Sequence, residues 1–240
     1  DGSGKTTITA GDVDGGSSDN CSLAGISVTP STFTCANAGA NTVTLTATDV
    51  NGNAASCSAT VTVIDSVAPT AVCQNLTVYL DGSGTATITA GDVDNGSSDN
   101  CGLAGISVTP STFTCANVGA NTVTLIATDA NGNTSDCTAT VTVIDSISPT
   151  AVCQNITVFL DGSGNASIVA ADIDGGSTDN CGTVSLTASQ TAFTCANVGT
   201  NTVTLTADDG NGNTSDCTAT VTVSDSTSPT AVCQNLTVYL

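Results

Sequence analysis

Asn121-Thr-Val-Thr-Leu-Ile-Ala-Thr128 runs into Asp129-Ala-Asn-Gly-Asn133, and after three residues Cys137-Thr-Ala-Thr-Val-Thr-Val143 runs back. Val123, Leu125 and Ala127 alternate with Thr122, Thr124 and Thr128, and the second run alternates in the same way. Period-two patterning, Thr/Val enrichment and an Asn-Gly turn together specify a strand–turn–strand hairpin. The hairpin recurs at residues 41–65 and 201–225. Every other segment can be placed relative to it, and nothing in it has the chemistry of a catalyst.

The 240 residues carry a net charge of −20, from 21 acidic residues against one base, Lys5. All the acids are Asp, and His, Arg, Met, Trp and Glu are absent. An enzyme would lack its usual proton carriers and anion holders, so no enzymatic activity is expected. Nucleic acid and anionic membrane are excluded as partners, because nothing neutralises phosphate. Cations are favoured instead. Twelve cysteines point to an oxidising, extracellular setting. Zinc does not fit, since there is no Cys-x-x-Cys pair and no His. No apolar run is long enough to insert in a membrane, and no signal peptide is visible, so a secretion signal is expected outside these residues.

Asp-Gly-Ser-Gly begins at Asp1, Asp81 and Asp161, which sets a period of 80 residues and three copies. The first two copies match at about four-fifths of positions, and the third diverges mostly within residues 183–192. A unit of this size is a small domain in a tandem array rather than a short solenoid repeat. Pro69, Pro149 and Pro229, flanked by Ser and Asp, read as linkers. The expected domains are therefore 65–144 and 145–224, both complete. Residues 1–64 form a repeat without its first strand, and 225–240 form the first strand of a further repeat. The segment is thus out of register with its fold. That predicts either continuation of the same chain or a strand donated end to end by another copy.

Within 65–144 the first strand is expected over 70–73 and 75–80, with its inward phase flipping near Gln74 so that it passes from one sheet to the other. A second strand is expected over 85–93, short strands over 105–109 and 112–115 around Pro110, and then the closing hairpin. About seven short strands with turns at these intervals predict an all-β, two-sheet sandwich of immunoglobulin type.

Pro69 with Cys73, Asp99-Asn100-Cys101, Gly119-Ala-Asn-Thr-Val-Thr-Leu125, Ala127-Thr-Asp-Ala-Asn-Gly-Asn133 and Cys137-Thr-Ala-Thr-Val-Thr-Val143 together resemble the hyalin repeat, an immunoglobulin-like module of about this length. The resemblance covers the whole chain. It implies extracellular tandem arrays, often in bacterial surface or secreted proteins, with a role in adhesion and no catalytic residues. The high Ser, Thr and Ala content fits a fibre-forming version of such an array.

Four cysteines per unit allow three connectivities. Cys73 and Cys137 lie on the first and last strands, neighbours in such a sandwich, while Cys101 and Cys115 flank one excursion. The expected bridges are Cys21–Cys35, Cys73–Cys137, Cys101–Cys115, Cys153–Cys217 and Cys181–Cys195. Cys233 is left to pair with Cys57 of the next copy. Loop-closure entropy gives roughly 4 kcal/mol for the longer loop and about 3 for the shorter. With so few aromatics the core is thin, and these staples matter.

The carboxylates cluster as well. Asp92, Asp94 and Asp99, with Asp129, Asn131 and Asn133 of the hairpin turn, are expected to gather beside Asp65, where the preceding domain joins. The equivalents are Asp172, Asp174, Asp179, Asp209, Asn211 and Asn213 beside Asp145, and Asp12, Asp14, Asp19, Asp49, Asn51 and Asn53 in the first copy. An all-oxygen set of this kind suits Ca²⁺. Turn geometry alone is the competing explanation. The Asp-Ser-x linkers place Ser66, Ser146 and Ser226 in a bacterial O-glycosylation pattern, so covalent O-glycans are expected there. The leading functional expectation is a structural extracellular rod or filament. The alternative is the stalk of a cell-surface adhesin or carbohydrate-binding module that meets cell-surface or matrix glycans.

Overall fold

The computed structural model describes residues 2–238 and 240. Asp1 and Tyr239 lie outside the described residues, and with Tyr239 part of the first strand expected within 225–240. The fold is all-β, a tandem series of immunoglobulin-like sandwiches. The first repeat holds β1 (Lys5–Thr7), β2 (Leu23–Thr29), β3 (Thr32–Thr34), β4 (Gly39–Asp49) and β5 (Ala54–Val63). The second holds β6 (Leu76–Tyr79), β7 (Thr85–Thr87), β8 (Leu103–Thr109), β9 (Thr112–Thr114), β10 (Gly119–Asp129) and β11 (Thr134–Ile144). The third holds β12 (Ile156–Phe159), β13 (Asn165–Ser167), β14 (Ser185–Ala188), β15 (Ala192–Thr194), β16 (Gly199–Asp208) and β17 (Thr214–Ser224).

The chain groups into two compact units. One comprises residues 1–77, 87–112 and 120–142, and the other 78–86, 113–119 and 143–240. In the second unit the third repeat is a two-layer sandwich. One sheet has the order β12-β17-β16-β14 and the other is the pair β13-β15. Val203, Leu205, Ala219, Val221 and Val223 project from the first sheet onto Ile168 and Phe193 of the second layer, with Ile173 and Leu160 closing the core. The alternation of the hairpin puts these residues on one face, and their burial drives the two layers together. β12 lies parallel on β17, Ile156 opposite Val221 and Val158 opposite Val223. The middle repeat has the same sheet order, β6-β11-β10-β8. In the first unit the sheet of the first repeat is β2-β4-β5, with the pair β1-β3 as its second layer.

The hairpin forms as its alternation requires, with Val123, Leu125 and Ala127 fully buried. The strand expected over 70–73 is reduced to two isolated bridges, and only 76–79 of the expected first strand joins a sheet. Thr70 and Cys73 bridge Ser98 and Asp94, the Gln74 N–H then donates to the Val93 carbonyl at 2.8 Å, and β6 follows. The strand expected over 85–93 is not formed throughout. β7 stops at Thr87, and Ala90–Val93 makes one turn of helix. Asp92 Oδ2 accepts from both the N–H and the hydroxyl of Thr89, each at 2.7 Å. This reciprocal capping stabilises a helical turn at the expense of the ladder.

Candidate functional site

The cysteines decide how the repeats are joined. Cys73–Cys137 and Cys153–Cys217 are bridged, tying first strand to last as expected. The short-loop pairings Cys21–Cys35, Cys101–Cys115 and Cys181–Cys195 are not formed. Cys35 is bonded instead to Cys101, and Cys115 to Cys181, each across 66 positions and from one repeat to the next. The reason is distance. β8 alone, at about 3.3 Å per residue, carries the chain roughly 20 Å away from Cys101 before Cys115 is reached. A disulfide needs Cα atoms within about 7 Å. Cys101 and Cys115 each have their partner at a Cα–Cα distance of 5.2 Å in a neighbouring repeat instead. Cys21, Cys57, Cys195 and Cys233 are exposed free thiols.

A close backbone approach surrounds each of these bridges. Gly84 adopts φ +72°, and a Cβ there would lie 2.6 Å from Cys115 Sγ and 2.9 Å from the Asn180 carbonyl oxygen. Gly4, at φ +67°, faces Cys35 Sγ and the Asn100 carbonyl in the same way. Only glycine fits such a position. The Asn180 Nδ2 group donates to the Asp81 carbonyl at 3.2 Å and so adds to the same seam.

The carboxylates divide into two groups. Most serve turns. Asp12, Asp92 and Asp172 each accept the N–H three residues back, at 2.7 Å. Asp14, Asp94 and Asp174 accept the N–H of Ser17, Ser97 and Ser177. Asp49, Asp129 and Asp209 accept from the backbone of Asn51 and Asn53, Asn131 and Asn133, and Asn211 and Asn213, and from the side chain of the second Asn in each pair. Asp129 is 1 % exposed. Burial pushes its carboxyl up, but the Asn133 amide and the turn N–H groups outweigh burial and hold it below the ordinary value. In Asp94 the Ser97 hydroxyl, then the Ser97 N–H, does the lowering.

The second group converges. Asp65, Asp99 and Cys101 bring ligand-type atoms within 4.8 Å of one another, as do Asp145, Asp179 and Cys181. Both sulfurs are bound in disulfides, so no thiolate is on offer and the oxygens remain. Asn131 Nδ2 donates to Asp65 Oδ2 at 3.0 Å, and Asn211 Nδ2 to Asp145 Oδ2 at 3.3 Å, which brings the hairpin turn to the cluster. Asp145 is buried. Asp179 Oδ1 and Asn180 Oδ1 are buried without a hydrogen-bond partner. Of the expected cation ligands, then, Asp65 with Asp99 and Asp145 with Asp179 stand together, with Asn131 and Asn211 at the rim. Asp92, Asp94, Asp172 and Asp174 are held in their own turns.

No protein-family model matches the chain, and no curated protein does. Among solved structures, a three-immunoglobulin-domain segment of titin is similar over 92% of this chain and 87% of its own length, at 12% identity and TM-score 0.42. Protocadherin Gamma C5 EC1-3 is similar over 79% of each chain, at 10% identity and TM-score 0.38. Four extracellular cadherin domains of protocadherin Gamma B7 are similar over 87% of this chain, at 11% identity and TM-score 0.35. The chain spans 66% of that protocadherin's length and 47% of the length of protocadherin Gamma B2.

Proposed function

We propose that this chain is a structural segment of an extracellular array of hyalin-repeat type, a stiff rod or filament of tandem immunoglobulin-like domains. The observation that carries this reading is the pair of bridges Cys35–Cys101 and Cys115–Cys181, which bond each repeat covalently to its successor. Such a bond does nothing for a binding loop or a reaction. It holds neighbours in register. Disulfides of this number suit an oxidising compartment outside the cell, and no helix among the described residues is long and apolar enough to cross a membrane.

Calcium would add to the junctions. The orphaned Asp179 and Asn180 oxygens beside Asp145 are acceptors left unsatisfied, and a hard cation would satisfy them. Asp145, Asp179 and Asn211 would hold it, with Asp65, Asp99 and Asn131 as the matching set. Ser66 and Ser146 stand exposed in their linkers, as does Ser226, open to O-glycosylation.

Electron microscopy and intact-mass measurement of native material test this reading together. Long regular filaments, with a repeated mass increment per unit over bare polypeptide, are expected. Isolated stalks ending in distinct heads would replace it with the adhesin alternative, and bare polypeptide mass would remove the glycans.

A further inference from the structure

Eight Asn-x-Ser/Thr sequons occur in the chain, and the fold treats them differently. Such an asparagine takes a sugar at the surface, with its amide nitrogen and the hydroxyl two residues on both open. At Asn133 and Asn213 the Nδ2 group is held by Asp129 Oδ2 and Asp209 Oδ2, each at 2.7 Å, inside the hairpin turns. Asn165 Nδ2 donates to the Ser163 carbonyl, and Asn20 turns its amide to the Asp19 carboxylate. The hydroxyl that belongs to the Asn95 sequon, on Ser97, accepts from the Val72 N–H at 3.0 Å. Asn235 repeats Asn75 in sequence.

Asn75-Leu-Thr77 and Asn155-Ile-Thr157 are open. β12 is an edge strand of its sheet. Ile156 and Val158 pack against the core, while Asn155, Thr157 and Phe159 are exposed on the other face. Asn155 Oδ1 accepts from the Thr220 N–H at 2.7 Å and so extends the ladder one place ahead of β12. That bond holds the amide oxygen on the sheet and leaves Nδ2 without an acceptor among the described residues. Asn75 Oδ1 accepts from the Thr140 N–H at 2.8 Å, with the same result. The hydroxyls of Thr77 and Thr157 meet no partner among the described residues either.

The surroundings suit a sugar. A shallow groove of about 260 Å³ lies beside the Asn155 amide, lined by Ile156, Thr157, Thr220 and Thr222. Its hydroxyls offer both donors and acceptors to a sugar ring. The few aromatic side chains point to the same place. Phe33, Phe113 and Phe193 are core residues, each 1 % exposed, whereas Tyr79 and Phe159, the other two described, are each 61 % exposed. Each of these two follows its sequon asparagine by four residues on the same face of the strand, about 13 Å along it. A sugar chain rooted at the amide reaches that far with its second or third ring, whose apolar face stacks on an aromatic one.

We propose that Asn75 and Asn155 carry N-linked sugar chains. The transfer joins Nδ2 to C1 of a sugar activated on a lipid pyrophosphate. The C1–O bond breaks, the lipid pyrophosphate leaves with the bonding pair, and the amide gives up one proton. The sugar then lies along β12 over Thr157 and Phe159, and it covers a sheet edge on which a foreign strand could otherwise pair. These sites are distinct from the linker serines. They rest on the extracellular setting alone and go beyond the array reading.

Site-resolved mass spectrometry of reduced peptides from native material tests this, because intact mass cannot separate these sugars from any on the linker serines. Electron-transfer fragmentation keeps each sugar on its residue. Sugars are expected on Asn75 and Asn155, with Asn133 and Asn213 bare. Bare Asn75 and Asn155, sugars on the Thr77 and Thr157 hydroxyls instead, or equal occupancy at Asn133 and Asn213 would each overturn the assignment. The double variant Thr77→Val/Thr157→Val, made in the cell of origin, should lose both sugars although its asparagines remain, and sugars retained there would overturn it too. Bare asparagines in regular filaments would remove these sites and leave the array reading standing. Sugar-bearing asparagines on material that forms no filaments would do the reverse.

Discussion

Asp81 heads the Asp-Gly-Ser-Gly turn, and its Oδ1 accepts from the Ser83 hydroxyl at 2.6 Å, the Ser83 N–H at 2.9 Å and the Thr85 N–H at 3.0 Å. These donors, the Ser83 hydroxyl first, hold its pKa at about 2, against 3.8 ordinarily. The shift is downward, so its contribution to stability is fully present above about pH 4 and is lost as pH falls through 2. An NMR titration of the Asp81 carboxyl carbon should show a midpoint near 2 in the folded chain. A midpoint near 3.8 would mean the turn is not held this way. Turn carboxylates of this kind were legible in the sequence, because Asp before Gly, Ser or Asn announces its own hydrogen bonds. Asp179 was less legible. Nothing in Asp179-Asn180-Cys181 distinguishes it from Asp94-Asn95-Gly96, and only packing leaves its Oδ1 buried without a donor.

The hairpins β10–β11 and β16–β17 could be read almost to the residue, since a one-residue slip would turn every Val and Leu outward. The segment 85–93 could not. Its alternation of Ala86, Ile88 and Ala90 fits a strand, yet the Thr89-x-x-Asp92 pattern within it signals a capped turn, and that local signal prevailed. The disulfides failed for a different reason. Spacing along the chain favoured Cys101 with Cys115, but β8 leads the chain away from Cys101, and each cysteine pairs with one 66 positions away. The second layer of the third repeat is a pair of three-residue strands. In β13–β15 one large side chain, Phe193 at 1 % exposure, fills the space beneath β16 and β17. Phe193→Ala should cost about 3–5 kcal/mol. Hydrogen exchange of the β16 and β17 amides would register it as a local loss of protection. A loss under about 1 kcal/mol would show that the pair does not support the sheet.

For the molecule as a whole, a charge of −20 disfavours compaction, and the junction clusters concentrate that repulsion. Calcium at a hundred times its dissociation constant would stabilise the folded chain by about 2.7 kcal/mol. Chelation should therefore lower the melting temperature by roughly 10 °C, and Asp179→Asn should blunt the effect. A melting curve indifferent to both chelator and added calcium would reduce the clusters to turns. The Cys153–Cys217 bridge has a consequence of its own. Suppose the third repeat is pulled by residues 145 and 224. The force travels along the backbone to Cys153, crosses the sulfur bond and leaves from Cys217. Residues 154–216 lie in a bypassed loop that tension does not reach. Pulling can strip residues 218–224 of β17 from β12 and β16, but residues 154–216 cannot be drawn out as slack thread while the sulfurs stay joined. Under load such a repeat behaves as a link of fixed length rather than a spring.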